Sequence, residues 1–187
     1  MPESFPGDGL IYEDTLPFDW TPGPLPIGAD LARMNADNQQ LLSADSSLEE
    51  VRVHDALKDE SPALVHELQR LDYKLNILLR LMGDLAMRQS GLPRARHVRF
   101  SSAAFEWPGE DHPKIGSTGL LNLYVNPSLP QALRIPAVAA AGQNDGRKAW
   151  LQFTGLSESV VELIEKMIFR HHRRRVAGAK LAPSRPP

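Results

Sequence analysis

Between Leu64 and Leu85 a leucine or methionine recurs in alternating steps of four and three residues: Leu64, Leu68, Leu71, Leu75, Leu78, Met82 and Leu85. This is a heptad rhythm, with Leu68, Leu75 and Met82 at position a and Leu64, Leu71, Leu78 and Leu85 at position d. Ser61 is of N-cap type, Pro62 suits a first helical turn, and Gly91 followed by Pro93 stops the far end, so the pattern predicts one long helix. A leucine stripe more often belongs to a helix lying on a globular core, but such a stripe drifts toward a 3.6-residue period and this one does not slip. Val65 and Leu79 at e, Leu81 at g and Ile77 at c extend the apolar surface beyond the seam, while Glu67 at g and Asp72 at e would repel across a parallel dimer. The pattern therefore favours a bundle of more than two helices, with a homotetramer as the expected assembly.

Upstream, Leu10 to Thr15 has the composition of a short strand, ending by Pro17, and Thr21 to Gly28 reads as a turn or linker. No second strand follows before the helices, so this one has to pair with something after Arg94, because a lone strand cannot satisfy its backbone groups. Leu31, Met34, Leu41 and Leu42 have helical spacing, as do Leu48, Val51 and Leu57 behind Ser46 and Ser47. One helix or two is open from the pattern; either is expected to lie outside the leucine helix. From Arg94 the period changes to that of strands: His97 to Trp107, Leu120 to Val125, Ala132 to Ala141 and Ala149 to Thr154, separated by Gly- and Pro-bearing turns. Ser157 then caps a last helix whose Val160, Leu163, Ile164, Met167 and Ile168 share one face, and a basic, Pro-rich tail expected to be disordered starts at Ala177.

Composition narrows the classes. With 187 residues and a 42% hydrophobic share the chain can bury a core, and a net charge of −2 exerts no general pull toward nucleic acid or membranes. The absence of cysteine excludes disulfides, a thiol nucleophile and thiolate metal ligation, which suits a reducing cytoplasm. The N-terminus has neither a basic n-region nor an apolar h-region, and no apolar run reaches the length of a membrane span. His171 and His172 are adjacent and project to different sides of a helix, Asp111-His112 lies in a polar turn, and Ser157 is better used as a cap than as a nucleophile. No enzyme, metal or cofactor is expected.

The last strand and helix, Ala149-Trp150-Leu151-Gln152-Phe153-Thr154-Gly155-Leu156-Ser157 followed by Glu158-Ser159-Val160-Val161, resemble the C-terminal half of a PilZ domain, with Gln152, Phe153, Leu156 and Ser157 as matching positions. The likeness covers roughly residues 94–175. It implies an α+β fold: a small antiparallel six-stranded barrel closed by a C-terminal helix, in a family whose members commonly read cyclic di-GMP. Together with the heptad helix, the chain looks most like the atypical, oligomer-forming PilZ proteins of xanthomonads, in which helices interrupt the barrel. That implies a first barrel strand from residues 1–28, an inserted helical oligomerisation region at 29–92, the rest of the barrel and its helix at 93–176, and a tail at 177–187.

Ligand-binding PilZ domains carry RxxxR just before the first strand, two guanidiniums that fork onto the nucleotide, and [DN]xSxxG on the following turn. Here Arg94, Arg96 and Arg99 offer no pair spaced by four, and Arg170 and Arg174, which do, belong to the last helix. Gly116-Ser117-Thr118-Gly119 is preceded by Ile115 and followed by Leu120, and Asn126-Pro127-Ser128 ends in Gln131 in place of glycine. Cyclic di-GMP binding is expected to be weak or absent, and the expected role is that of a non-enzymatic adaptor acting through a signalling protein. The alternative is a direct receptor using Arg94, Arg96 and Arg99. The cluster Arg170 to Arg175 reads either as cations favourably placed at a helix C-terminus or as a docking patch for an acidic protein; nucleic acid is the weaker partner, since Phe169 alone could stack nearby.

Overall fold

The computed structural model describes residues 10–50, 91–106, 112–126, 131–141 and 149–181, together with most positions from 65 to 85. Its strands are β1 (Tyr12–Pro22), β2 (Ala95–Phe100), β3 (Ala104–Glu106), β4 (Thr118–Leu123), β5 (Leu133–Ala141) and β6 (Ala149–Phe153). Its helices are α1 (Gly28–Glu50), α2, helical at every described position from 65 to 85, and α3 (Glu158–Leu181). The strands form a closed antiparallel barrel in the order β1-β2-β3-β6-β5-β4. Leu64, residues 51–57, the Pro108-Gly109 and Gly142 to Gly146 turns, Asp111 and the Asn126 motif beyond Asn126 lie outside the described residues.

β1 closes the barrel. Its first half pairs with β2, from Tyr12 opposite Phe100 to Pro17 opposite Ala95. Its second half pairs with β4, from Phe18 opposite Leu123 to Pro22 opposite Gly119. The strand is thus longer than the pattern predicts: Pro17 does not end it, because it sits where β1 passes from one partner to the other and its missing N–H falls at the change of ladder. The stretch expected as one strand from His97 to Trp107 is instead a tight hairpin of β2 and β3. Ser101 explains the break, its hydroxyl accepting from the N–H of Ala103 (3.1 Å) and Ala104 (3.2 Å).

The barrel is filled by Phe18, Val98, Phe100, Phe105, Leu121, Leu123, Leu133, Ile135 and Leu151, all buried, with Phe18 edge-on to Phe105 at 4.9 Å. α3 lays Val160, Ile164, Met167 and Ile168 onto that core, as its periodicity predicts. Ser157 caps it, its carbonyl and hydroxyl both facing the Val160 N–H. The helix runs to Leu181, past Ala177 where the sequence suggests a tail.

α1 is one helix, continuous through Ser43 to Ser47, since no glycine or proline interrupts residues 29–50. The face carrying Met34, Asn38, Leu41 and Leu42 is buried, and Leu41 and Leu42 join the barrel core. The sequence places this helix against the leucine helix; its buried face packs instead on the barrel and α3, because these apolar positions complete the cover that α3 leaves open.

Gly119 lets two strands of the barrel wall approach closely. A Cβ there would strike the carbonyl oxygen of Thr21 and come within 2.8 Å of the Trp20 ring. Replacing Gly119 by Ala is expected to destabilise the fold by about 1–3 kcal/mol through overpacking, measured as a lower urea midpoint with an unchanged m-value.

Candidate functional site

Three features of the surface bear on function, and the seam is the largest. Leu68, Leu71, Leu75, Leu78, Met82 and Leu85 are 44 to 67% exposed in the single chain. Tyr73, Ile77 and Leu81 form a second exposed apolar set on another side of α2. One face pressed onto a core would have been buried, whereas both apolar faces of α2 are exposed.

The second feature is the place of the arginines, which do not converge. They precede or lie in β2, the second strand of the barrel rather than the first. On a strand, residues three apart point to opposite faces. Arg96 turns to the barrel mouth with its guanidinium 4.4 Å from the Phe18 ring centroid. Arg99 faces outward and is held by Glu106 (3.1 Å) and Glu13 (3.3 Å). Arg94 is exposed before the strand. Ser117, at the serine position of the second motif, turns back into its own loop and donates to the Lys114 carbonyl at 2.6 Å. Thr118 beside it donates to the Gly23 carbonyl.

The third is the meeting of α3 with β1, which sequence patterning did not foresee. His171 stacks on Tyr12 at 3.9 Å, and Tyr12 in turn stacks on Phe100 at 4.6 Å. The His171 Nε2 lies 3.3 Å from the Glu13 carbonyl and 4.0 Å from the Asp14 carboxylate. The Glu13 carboxylate faces Arg175 (3.5 Å), Arg99 and, more distantly, His97 (3.9 Å). Part of the basic cluster therefore fastens α3 to the strand that closes the barrel. Further round, Asn122 donates to Asp19 at 2.8 Å, and burial, with Asp19 adding to it, raises the pKa of Tyr124 above its ordinary 10.0.

Two asparagines of α1 act as a latch. The Asn38 amide donates to the Arg134 carbonyl (2.7 Å) and accepts from the Arg134 N–H (3.0 Å), serving β5 as a strand neighbour would. Asn35, one turn earlier, does the same at the β6–α3 turn, donating to the Gly155 carbonyl (2.9 Å) and accepting from the Ser157 N–H (3.1 Å). Gly155 has φ +69 with Leu31 closing over it, so a side chain there would meet both strain and a neighbour. The signal in the sequence is two amides set three apart on the apolar side of a helix, a position that buried asparagine occupies only with its hydrogen bonds made.

Replacing Asn38 by Ala strips both partners from the Arg134 backbone, and a loss of about 1–3 kcal/mol is expected from groups left unpaired near the core. Asn38→Asp should be damaging too, since a carboxylate accepts from the N–H but cannot donate to the carbonyl. Thermal melting followed by far-UV circular dichroism measures both.

Comparison with known proteins follows the same lines. No curated protein matches the chain. A solved structure from Xanthomonas campestris is similar, at 30% identity over 91% of both chains and a TM-score of 0.67; it is described as a pathogenic protein with a tetrameric PilZ domain self-assembled through an unusual helical bundle. The family model of the atypical PilZ domain, described as a cyclic di-GMP receptor, matches residues 42–181. With its closed six-stranded barrel, covering helix and inserted helices, the chain belongs to the atypical PilZ domain family.

Proposed function

We propose that this chain is a self-assembling PilZ signalling adaptor that works in a cyclic di-GMP pathway through protein contacts, with little or no direct hold on the nucleotide. The observation that carries it is the divergence of the arginines. A bidentate grip on guanine or phosphate needs two guanidiniums on one side of the ligand, whereas Arg96 and Arg99 stand on opposite faces of β2 and Arg99 is already engaged by two carboxylates. The second reading, a direct receptor through Arg94, Arg96 and Arg99, is favoured by the description of the family as cyclic di-GMP receptors. No described helix is long and apolar enough to cross a membrane.

Assembly is proposed to run through α2, with a homotetramer as the product. The two exposed apolar faces of α2 support more than two helices, and the Xanthomonas campestris protein is itself described as tetrameric. On this proposal residues 29–92 are the oligomerisation region inserted between a barrel strand drawn from residues 1–28 and the remainder of the barrel.

Titration calorimetry of the full chain with cyclic di-GMP is expected to give no heat of binding; a dissociation constant in the micromolar range or tighter would establish the receptor reading instead. Replacing Leu71 and Leu78 together by Asp should dissociate the particle in sedimentation equilibrium, because each carboxylate would enter the bundle without a partner. A wild-type chain that sediments as a monomer at micromolar concentration would remove the assembly from the proposal.

A further inference from the structure

Strand β1 keeps a short stretch of backbone edge that no other strand uses. Successive residues of a strand send their N–H and C=O groups to alternate sides. The Gly23 N–H donates to the Thr118 carbonyl (3.0 Å) and the Tyr124 N–H to the Pro17 carbonyl (3.1 Å), so the odd-numbered residues of β1 face the β4 side and the even-numbered ones face β2. β4 ends at Leu123, and beyond the Tyr124 contact no strand lies on that side of Thr15 and Glu13 among the described residues. Side chains serve half of this edge: the His171 ring meets the Glu13 carbonyl (3.3 Å), and the Asp14 carboxylate accepts from the Thr15 N–H (2.7 Å). The Glu13 N–H and the Thr15 carbonyl have no partner among the described residues, and Thr15 is exposed.

We infer that this edge is a strand-addition site for an extended, basic segment of a partner protein. The inference deepens the adaptor reading and rests on it. The two open groups belong to residues two apart on one edge, the spacing at which an antiparallel strand offers groups of its own. One partner residue donates to the Thr15 carbonyl, and the residue two further on accepts from the Glu13 N–H. The partner residue between them falls opposite Asp14. The Asp14 side chain is 48% exposed and faces His171 at 4.0 Å, with no lysine or arginine paired to it among the described residues, so it selects a lysine or arginine in that place. The Glu13 carboxylate adds no bar to a strand, since Arg99 and Arg175 hold it.

A second copy is a poorer occupant. Two such edges pairing about their common centre set Asp14 against its counterpart, and like charges directly opposite destabilise a sheet. The same carboxylate thus works against self-pairing and in favour of a basic strand. An α-helix, whose backbone groups bond within the helix, has none to give to the two that are open.

The test uses the full chain and an end-blocked, fluorescently labelled peptide, Val-Thr-Val-Thr-Lys-Thr-Val-Thr-Val, followed by anisotropy. The wild type is expected to bind it. Methylating the backbone nitrogen of the threonine before the lysine removes the donor to Thr15 and should abolish binding, whereas methylating that of the lysine, which points away from β1, should leave binding in place. Asp14→Lys should weaken binding about fivefold or more. Thr15→Pro should weaken it about tenfold or more, because the ring blocks the edge while the ladder to β2, which does not use the Thr15 N–H, stays intact. Unchanged melting curves show that the variants fold. No binding by the wild type overturns the proposal, as do equal binding of the two methylated peptides and indifference to Asp14→Lys. So does a Leu71→Asp, Leu78→Asp chain that still dimerises and ceases to when Thr15→Pro is added, which gives the edge to a second copy. Peptide binding alongside micromolar cyclic di-GMP binding would instead unseat the adaptor reading and leave the edge standing.

Discussion

Barrel closure by β1 is the constraint on which everything else in this chain depends. A strand exposes two rows of backbone donors and acceptors, and leaving either row dry and unpaired is costly in a compact fold. β1 gives its first half to β2 and its second half to β4, so that each half is paired and the described strands close into a barrel. The insertion of α1 and α2 between β1 and β2 is tolerated because the barrel itself holds the two ends of the excursion together. The contacts of α3 reinforce the same strand: the ring stack from His171 through Tyr12 to Phe100 and the ion pairs at Glu13 all converge on its first residues. Surface ion pairs of this kind contribute only about 0–1 kcal/mol each, so the aromatic stack and the buried side chains of β1 supply most of the hold.

The insertion is not a loosely tethered arm at its root. Asn35 and Asn38 each bind both a donor and an acceptor of the barrel backbone, one at the β6–α3 turn and one on β5. Pairing a side-chain amide with a backbone amide in this way fixes direction as well as distance, because both hydrogen bonds require the plane of the amide to align. Two such pairs one helical turn apart leave α1 little freedom to roll. The orientation from which the chain departs toward α2 is therefore set by the barrel.

Much of this was legible in the chain and some was not, for identifiable reasons. The helical state of α2, the α3 face and the later strands follow directly from periodicity, since Leu68 to Leu85 and Val160 to Ile168 repeat at helical intervals and Leu121 and Leu123 alternate about Asn122. The full extent of β1 was hidden by Pro17, whose usual meaning as a strand end is set aside where a strand changes partners. The break between β2 and β3 depended on one serine hydroxyl, and the packing of α1 on the barrel on burial of Leu41 and Leu42 against elements distant in sequence. The meeting of Glu13 with Arg99 and Arg175, and of Asn38 with Arg134, are tertiary juxtapositions that no local window contains. The arginines of β2 were legible as residues but not as directions; alternation along the strand parts Arg96 from Arg99.

The position of β1 also orders events during synthesis. It leaves the ribosome before the other described strands, yet those it pairs with lie beyond the whole helical excursion, so its closure is among the non-local contacts that form slowly. Helices need only near neighbours and can form while β1 waits.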